Sequence, residues 1–173
     1  MTKAEMTTLF AAMSLIYRHD KMFAAGIEAL KPTIEIWTAA LPDMSYALGQ
    51  QALMRVFRTC KYPPTPADLS EAAEEIKAEI RRYCEPIKNM IQLECSDLIG
   101  RTVEECYSKL SPNDLTRKAI DYIGGPQRLF DHIGSDYKVW NWSAFDAAYM
   151  ELCLSGRPAL PGSKSPALPP KKG

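Results

Sequence analysis

The sequence has no excess of charge of either sign and no long apolar run. Its 21 basic residues equal its 21 acidic residues, so it lacks the basic surplus with which proteins bind the phosphates of nucleic acid. Direct nucleic-acid binding is therefore expected to be weak or absent. No apolar run approaches the ~20 residues of a membrane-spanning helix, and the first residues lack the apolar core of a secretion signal. We expect a cytoplasmic protein without membrane contact.

Motifs of a reaction centre are also missing. No GxxxxGK[ST] phosphate loop occurs, and Gly124-Gly125 lacks the third glycine of a dinucleotide site. Neither His19 nor His132 has a second histidine or cysteine at metal-ligand spacing, and there is no CxxC pair. The five cysteines are odd in number and widely spaced, as is typical of reduced thiols. We expect no cofactor, no metal, no catalytic residue and no enzymatic activity.

The sequence is rich in signals that begin and end helices. Several pairs place a capping side chain three residues before an acidic one, which closes a capping box at a helix start. Pro126 predicts the start of a short helix that runs through Ile133. No two alternating runs flank a turn, so we predict an all-α fold, a small helical bundle. The capping pairs are Thr2 with Glu5, Thr65 with Asp68, Thr102 with Glu105, Ser111 with Asp114, and Ser143 with Asp146.

A long helix is predicted after Pro66. Its apolar residues alternate spacings of four and three, a heptad-like seam suited to a helical hairpin or a partner helix. Pro86 interrupts the seam, and its ring would clash with the carbonyl of Arg82. The helix is therefore expected either to kink at Pro86 or to end and restart there. The seam consists of Leu69, Ala73, Ile76, Ile80, Tyr83, Ile87 and Met90.

Three regions follow from these patterns: a helical N-terminal domain over 1–75, a helical extension or second helical module over 76–156, and a tail over 157–173. The tail holds five prolines and four basic residues among its 17 residues, and no acidic residue. Such a composition does not bury a core, so we predict a disordered basic tail that a partner could bind.

Candidate partner-binding residues lie in three groups. The basic residues before the Tyr-Pro-Pro turn could contact an acidic partner, or they could simply match the negative end of the helix dipole. Tryptophans are frequent at binding hot spots, and the lysines of the tail are cationic. These candidates are Arg55, Arg58, Lys61, Tyr62, Pro63, Pro64, Trp140, Trp142, Lys164, Lys171 and Lys172. Aromatic and aliphatic residues at helical spacing are more often core than interface. The expected core residues are Trp37, Leu41, Tyr46, Leu53 and Phe57.

One composite pattern resembles a known family. It reads Trp37-Thr-Ala-Ala-Leu41-Pro-Asp43-Met-Ser-Tyr46, then Ala52-Leu53 and Phe57, then Lys61-Tyr62-Pro63-Pro64-Thr65-Pro66-Ala67-Asp68-Leu69. This order of a Trp-x₃-Leu segment, a helix and a Tyr-Pro-Pro-Thr turn into an acidic helix resembles the N-terminal domain of the phage replicative-helicase loader and inhibitor family. The opening Thr2-Lys3-Ala4-Glu5 is similar to the usual start of that family, and the resemblance covers about residues 1 to 75.

The resemblance implies a non-enzymatic protein of the bacterial host cytoplasm that binds a ring-shaped replicative helicase, restrains it and loads it at the origin through an initiator. In that family the folded domain precedes a region that is largely unfolded until it meets the helicase, whereas residues 76–154 are capped and apolar-patterned here. Two other classes remain open on the residues alone. One is a small helical DNA-binding regulator with Arg55, Arg58 and Lys61 on phosphates, and the other is a helical adaptor of the virion.

Overall fold

The computed structural model describes residues 1–95, 102–111, 114–133 and 137–156, with side chains for all of these except 130–139. They divide into two compact units, 1–76 and 77–156. The predicted tail, with Lys164, Lys171 and Lys172, lies outside the described residues. The helices and strands are α1 (Lys3–Ile16), α2 (Lys31–Ala40), α3 (Tyr46–Val56), α4 (Pro66–Glu94), α5 (Val103–Lys109), α6 (Leu115–Tyr122), β1 (Phe130–Ile133), β2 (Tyr137–Trp140) and α7 (Trp142–Ser155).

The first unit forms around the apolar side of α1. The predicted capping box begins this helix, with the Thr2 side chain on the backbone of Glu5 and the Glu5 carboxylate on the backbone of Thr2. Helices α2 and α3 both pack on α1. The ring of Phe10 meets Trp37 of α2 edge to face, with centroids 5.0 Å apart. The expected core residues Trp37, Leu41 and Leu53 are buried, and Tyr46 and Phe57 are half-buried.

The turn between α3 and α4 is closed by a second capping box. The backbone N–H of Thr65 donates to Asp68 Oδ2 at 2.7 Å, and the backbone N–H of Asp68 donates to Thr65 Oγ1 at 3.3 Å. The hydrogen bonds from the backbone and then the hydroxyl of Thr65 lower the pKa of Asp68 below its usual value. The start of α4 is therefore fixed by residues three positions apart.

Helix α4 continues through Pro86 as a single helix of 29 residues. The predicted seam holds only for its first half, where Leu69, Ala73, Ile76 and Ile80 are buried. Beyond Ile80 the seam residues are less buried: Tyr83 is 72% exposed, Ile87 is half-buried and Met90 is 48% exposed. A straight helix has 3.6 residues per turn and drifts about 20° per heptad relative to a 3.5-residue seam. The buried positions beyond Ile80 are Cys84, Lys88, Ile91 and Cys95, and the side chains of Cys84 and Lys88 contact Asp146 of α7.

The second unit combines the end of α4 with α5 to α7, and α6 packs along α7. Its core includes Ile120, Leu129 and Phe145, each no more than 1% exposed. Gly124 and Gly125 end α6 with φ angles of 105° and 98°, a conformation that glycine adopts without strain.

One element of this unit corrects a prediction. The expected helix from Pro126 to Ile133 is only a 3₁₀ turn, Pro126–Arg128, and the chain then enters β1. Strand β1 pairs antiparallel with β2, with Phe130 opposite Trp140 and Ile133 opposite Tyr137. The fold class is confirmed as helical, with this hairpin as an addition. Four-residue strands are too short for alternation to distinguish them from a helical turn.

Candidate binding surfaces

The basic residues at the end of α3 do not all remain available to a partner. Arg55 pairs with Glu75 of α4, with Nη1 and Oε2 3.1 Å apart. Arg58, Lys61 and Tyr62 are exposed, and the Lys61 ammonium lies 6.0 Å from the centre of the Tyr62 ring. Within the described ranges neither Arg58 nor Lys61 forms an ion pair. We call Arg58, Lys61 and Tyr62 the basic turn surface.

The two prolines of this turn, which were also predicted as partner contacts, are less exposed than its charged residues. Pro63 is half-buried and Pro64 is buried, so Pro64 supports the turn from inside. Tyr62, which precedes them, is 70% exposed although it is a large aromatic residue. An exposed tyrosine beside Lys61 offers both apolar area and a hydrogen-bonding hydroxyl to a partner.

Tyr17 at the end of α1 fixes the position of the basic turn surface. Its hydroxyl donates to the Cys60 carbonyl at 3.0 Å, and its ring meets Phe57 edge to face at 5.8 Å. Burial, and then the neighbouring Cys60 side chain, raise the pKa of Tyr17 above its usual value. The turn is therefore anchored to α1 by a hydrogen bond that persists at neutral pH.

Trp140 and Trp142 are brought together in the second unit. Their rings stack in parallel, with centroids 4.9 Å apart and planes 5° apart. Trp142 also meets Phe145 edge to face at 5.7 Å, and Phe145 is fully buried. Both tryptophans are half-buried, so this pair covers the edge of the core while keeping part of its surface in solvent.

A buried polar network links α4 to α7, and it was not predicted. Lys88 Nζ donates to Asp146 Oδ2 at 3.0 Å, and Cys84 Sγ donates to Asp146 Oδ1 at 3.2 Å. Lys88 also pairs with Glu85 at 2.6 Å. The sequence pattern placed Asp146 in a capping box with Ser143. Because α7 already begins at Trp142, Asp146 lies one turn inside the helix and its carboxylate turns to α4 instead.

The pKa shifts of Lys88 and Cys84 indicate that the network stabilises the fold and is not reactive. Burial alone lowers the pKa of Lys88, but hydrogen bonds from Lys88 to Glu85 and Asp146, together with their negative charges, hold it above its usual value. Burial, and then the hydrogen bond to Asp146, raise the pKa of the Cys84 thiol to about 12. Since the thiolate is the reactive form, Cys84 is inert at neutral pH. In the sequence, this network is indicated only by Lys88, a charged residue at a position that the 3.6-residue repeat of α4 buries.

Comparison with known proteins gives a match for most of the first unit. Residues 1–70 match the family model of the gp39 N-terminal domain. This is the phage helicase loader and inhibitor family that the Trp37-to-Leu69 pattern resembles, so the predicted resemblance is confirmed for these residues. Neither the curated proteins nor the solved structures give a match to the chain.

The matched domain contains the whole basic turn surface and ends in the first turns of α4. The stacked tryptophans and the Lys88 network lie beyond the match. In the described part of the chain, no helix is long and apolar enough to cross a bilayer. Over the same residues, no three His, Cys, Asp or Glu side chains converge as metal ligands.

Proposed function

We propose that this chain is a non-enzymatic accessory protein of phage DNA replication that binds a ring-shaped replicative helicase. In this proposal it restrains the helicase and delivers it to the origin through an initiator protein. The observation that carries the proposal is the match of residues 1–70 to the gp39 N-terminal domain. The absence of a phosphate-binding loop from the sequence agrees with a protein that acts on a helicase rather than hydrolysing ATP itself.

The basic turn surface supports a contact with an acidic patch of the helicase. Arg58 and Lys61 extend from an anchored turn, so little backbone order has to be created on binding. Charged residues at the rim of an interface chiefly accelerate association and select the partner. Tyr62 adds apolar area at the same place. We therefore assign the first contact with the helicase to this surface.

The experiment combines binding and activity. The purified chain is mixed with the replicative helicase encoded by the same phage or its host, and co-elution and ATPase turnover are measured. A complex and reduced ATPase turnover are expected. Absence of a complex at micromolar concentrations would remove the proposal.

A charge-reversal variant tests the assigned surface. Arg58→Glu with Lys61→Glu is expected to weaken helicase binding about tenfold, or ~1.4 kcal/mol, and mostly through slower association at low salt. Lys118→Glu, at an exposed position of α6, is the control for a change of charge outside this surface. Equal affinity of the double variant and the wild type would exclude the basic turn surface while leaving helicase binding itself intact.

A further inference from the structure

Two cysteine thiols meet at the end of α4 in the second unit. Cys95 Sγ and Cys106 Sγ lie 3.6 Å apart, although the residues are 11 positions apart in the sequence. A disulfide bond requires about 2.0 Å between the sulfurs. The two atoms are therefore within a small side-chain movement of bonding.

A cavity gives a small reagent access to one of these thiols. It has a volume of about 180 Å³, and Cys106 lines it together with apolar side chains such as Val103, Leu110 and Ile120. Cys106 is half-buried, whereas Cys95 is 5% exposed. Cys106 is thus the thiol that an uncharged reagent reaches first, and Cys95 is the shielded partner behind it.

Glu94 lies beside the same thiol. The Cys106 thiol faces Glu94 Oε2 at 3.8 Å, with the carboxylate as acceptor. Both residues line the cavity, so this contact holds the Cys106 thiol at its edge. The Cys106 thiol therefore lies at the edge of the cavity, and the Cys95 thiol lies next to it.

We propose that Cys106 and Cys95 form an oxidation site whose reagent is a small peroxide. The Cys106 sulfur attacks one oxygen of hydrogen peroxide and the O–O bond breaks. The departing hydroxide takes the proton that Cys106 loses and leaves as water, giving a sulfenic acid at Cys106. The Cys95 sulfur then attacks the Cys106 sulfur, the S–O bond breaks, and a second water leaves with the thiol proton. Two thiols lose two electrons, peroxide gains them, and a Cys95–Cys106 disulfide remains.

The product would change how α5 is held. Helix α5 has seven residues and its main contact with another element is the 3₁₀ turn at Pro126–Arg128. A disulfide would join this short helix covalently to the end of α4. Cross-linking also restricts the unfolded chain, so the oxidised second unit should unfold at a higher temperature than the reduced one.

Mass spectrometry tests the site on the full wild-type chain. Trypsin cleaves after Lys88, Arg101 and Lys109, so Cys95 and Cys106 fall on separate peptides, 89–101 and 102–109. After treatment with hydrogen peroxide and blocking of free thiols, the two peptides should appear joined and lighter by two hydrogen atoms. Reduction should separate them. Oxidation that leaves these peptides unjoined, or joins them between two molecules, would overturn the proposal.

Variants assign the order of events. Cys95→Ser should stop the reaction at the Cys106 sulfenic acid, which a dimedone probe captures, and Cys106→Ser should abolish both products. Cys60→Ser is the matched control, because Cys60 is half-buried like Cys106 but lies in the first unit. It should leave the joined peptides unchanged. Loss of the joined peptides in Cys60→Ser, or a dimedone adduct on Cys95 ahead of Cys106, would contradict the assignment.

Discussion

Replacing Asp146 tests whether the buried lysine of the second unit depends on its carboxylate. Breaking a fully buried ion pair usually costs about 3–5 kcal/mol, because the remaining charge stays buried without its partner. Here Lys88 is 10% exposed, but the Asp146 side chain is 42% exposed and Glu85 remains within 2.6 Å of the ammonium. Both features reduce the loss. We expect Asp146→Ala to lower the free energy of unfolding by about 2 kcal/mol, where the Cys84 hydrogen bond contributes about 0.5–1 kcal/mol of the total.

A second substitution distinguishes the effect of the buried Lys88 charge on stability from the effect of lost packing. Lys88→Met keeps the length of the side chain and removes its charge, and replacement of buried ion pairs by apolar residues is often neutral. The double variant Asp146→Ala with Lys88→Met should therefore be more stable than Asp146→Ala alone by about 1 kcal/mol. That recovery is the specific consequence of removing a buried ammonium that only Glu85 still pairs, and a purely steric defect would not produce it.

Urea unfolding followed by tryptophan fluorescence measures these differences. Trp140 and Trp142 report on the second unit, and Trp37→Phe in every variant removes the signal of the first unit. A loss of about 2 kcal/mol should lower the urea midpoint by about 1 M. If the single and the double variant unfold at the same midpoint, the ion pair is not what makes Asp146 important, and the reasoning from burial fails.

Two further predictions concern alkaline pH and the glycine turn. The pKa of Cys84 is about 12 in the folded chain, against the usual 9.0 of a thiol. Above pH 9 the unfolded chain therefore loses a proton that the folded chain keeps. The free energy of unfolding should fall there by up to ~1.4 kcal/mol per pH unit. Urea midpoints at about pH 8, 9 and 10 should show this decline, and Cys84→Ala should remove most of it; an unchanged slope in that variant would refute the assignment. Gly125→Ala should lower the free energy of unfolding by about 1–2 kcal/mol because of its φ of 98°. This cost comes from the backbone alone, because no atom lies within 4 Å of an added Cβ. Gly156→Ala should be nearly neutral. Equal thermal midpoints of the two alanine variants would contradict the backbone argument.

Three of the five predicted helix starts were correct because their interactions are local. The capping boxes at Thr2, Thr65 and Thr102 each join residues three positions apart, and all three form in the structure. The same holds for Gly124 and Gly125 at the end of α6, where the conformation is a property of glycine itself. Local chemistry was enough to place these boundaries without knowledge of the rest of the fold. The pairs at Ser111 and Ser143 were predicted wrongly, because Asp114 itself caps α6 and α7 begins before Ser143.

The polar network and the thiol pair depend on residues far apart in the chain. Lys88 and Asp146 are 58 positions apart, and nothing near either residue indicates the other. The seam did not indicate which side of α4 is buried beyond Ile80, because that burial depends on the contacts of Cys84 and Lys88 with Asp146 of α7. The basic turn surface was predicted only in part. Arg55 is engaged by Glu75 from α4, and that pairing is tertiary.

The folded core of the second unit affects how a contact between this unit and the helicase would form. The family resemblance implies a region after the N-terminal domain that folds when it meets the helicase. Coupled folding of this kind consumes about 2–5 kcal/mol of the interaction energy and leaves a large negative heat-capacity change on binding. In this chain the described residues after 76 already bury Ile120, Leu129 and Phe145 in a core. A helicase contact made by the second unit would therefore dock a preformed surface, and the heat-capacity change should reflect the interface area alone.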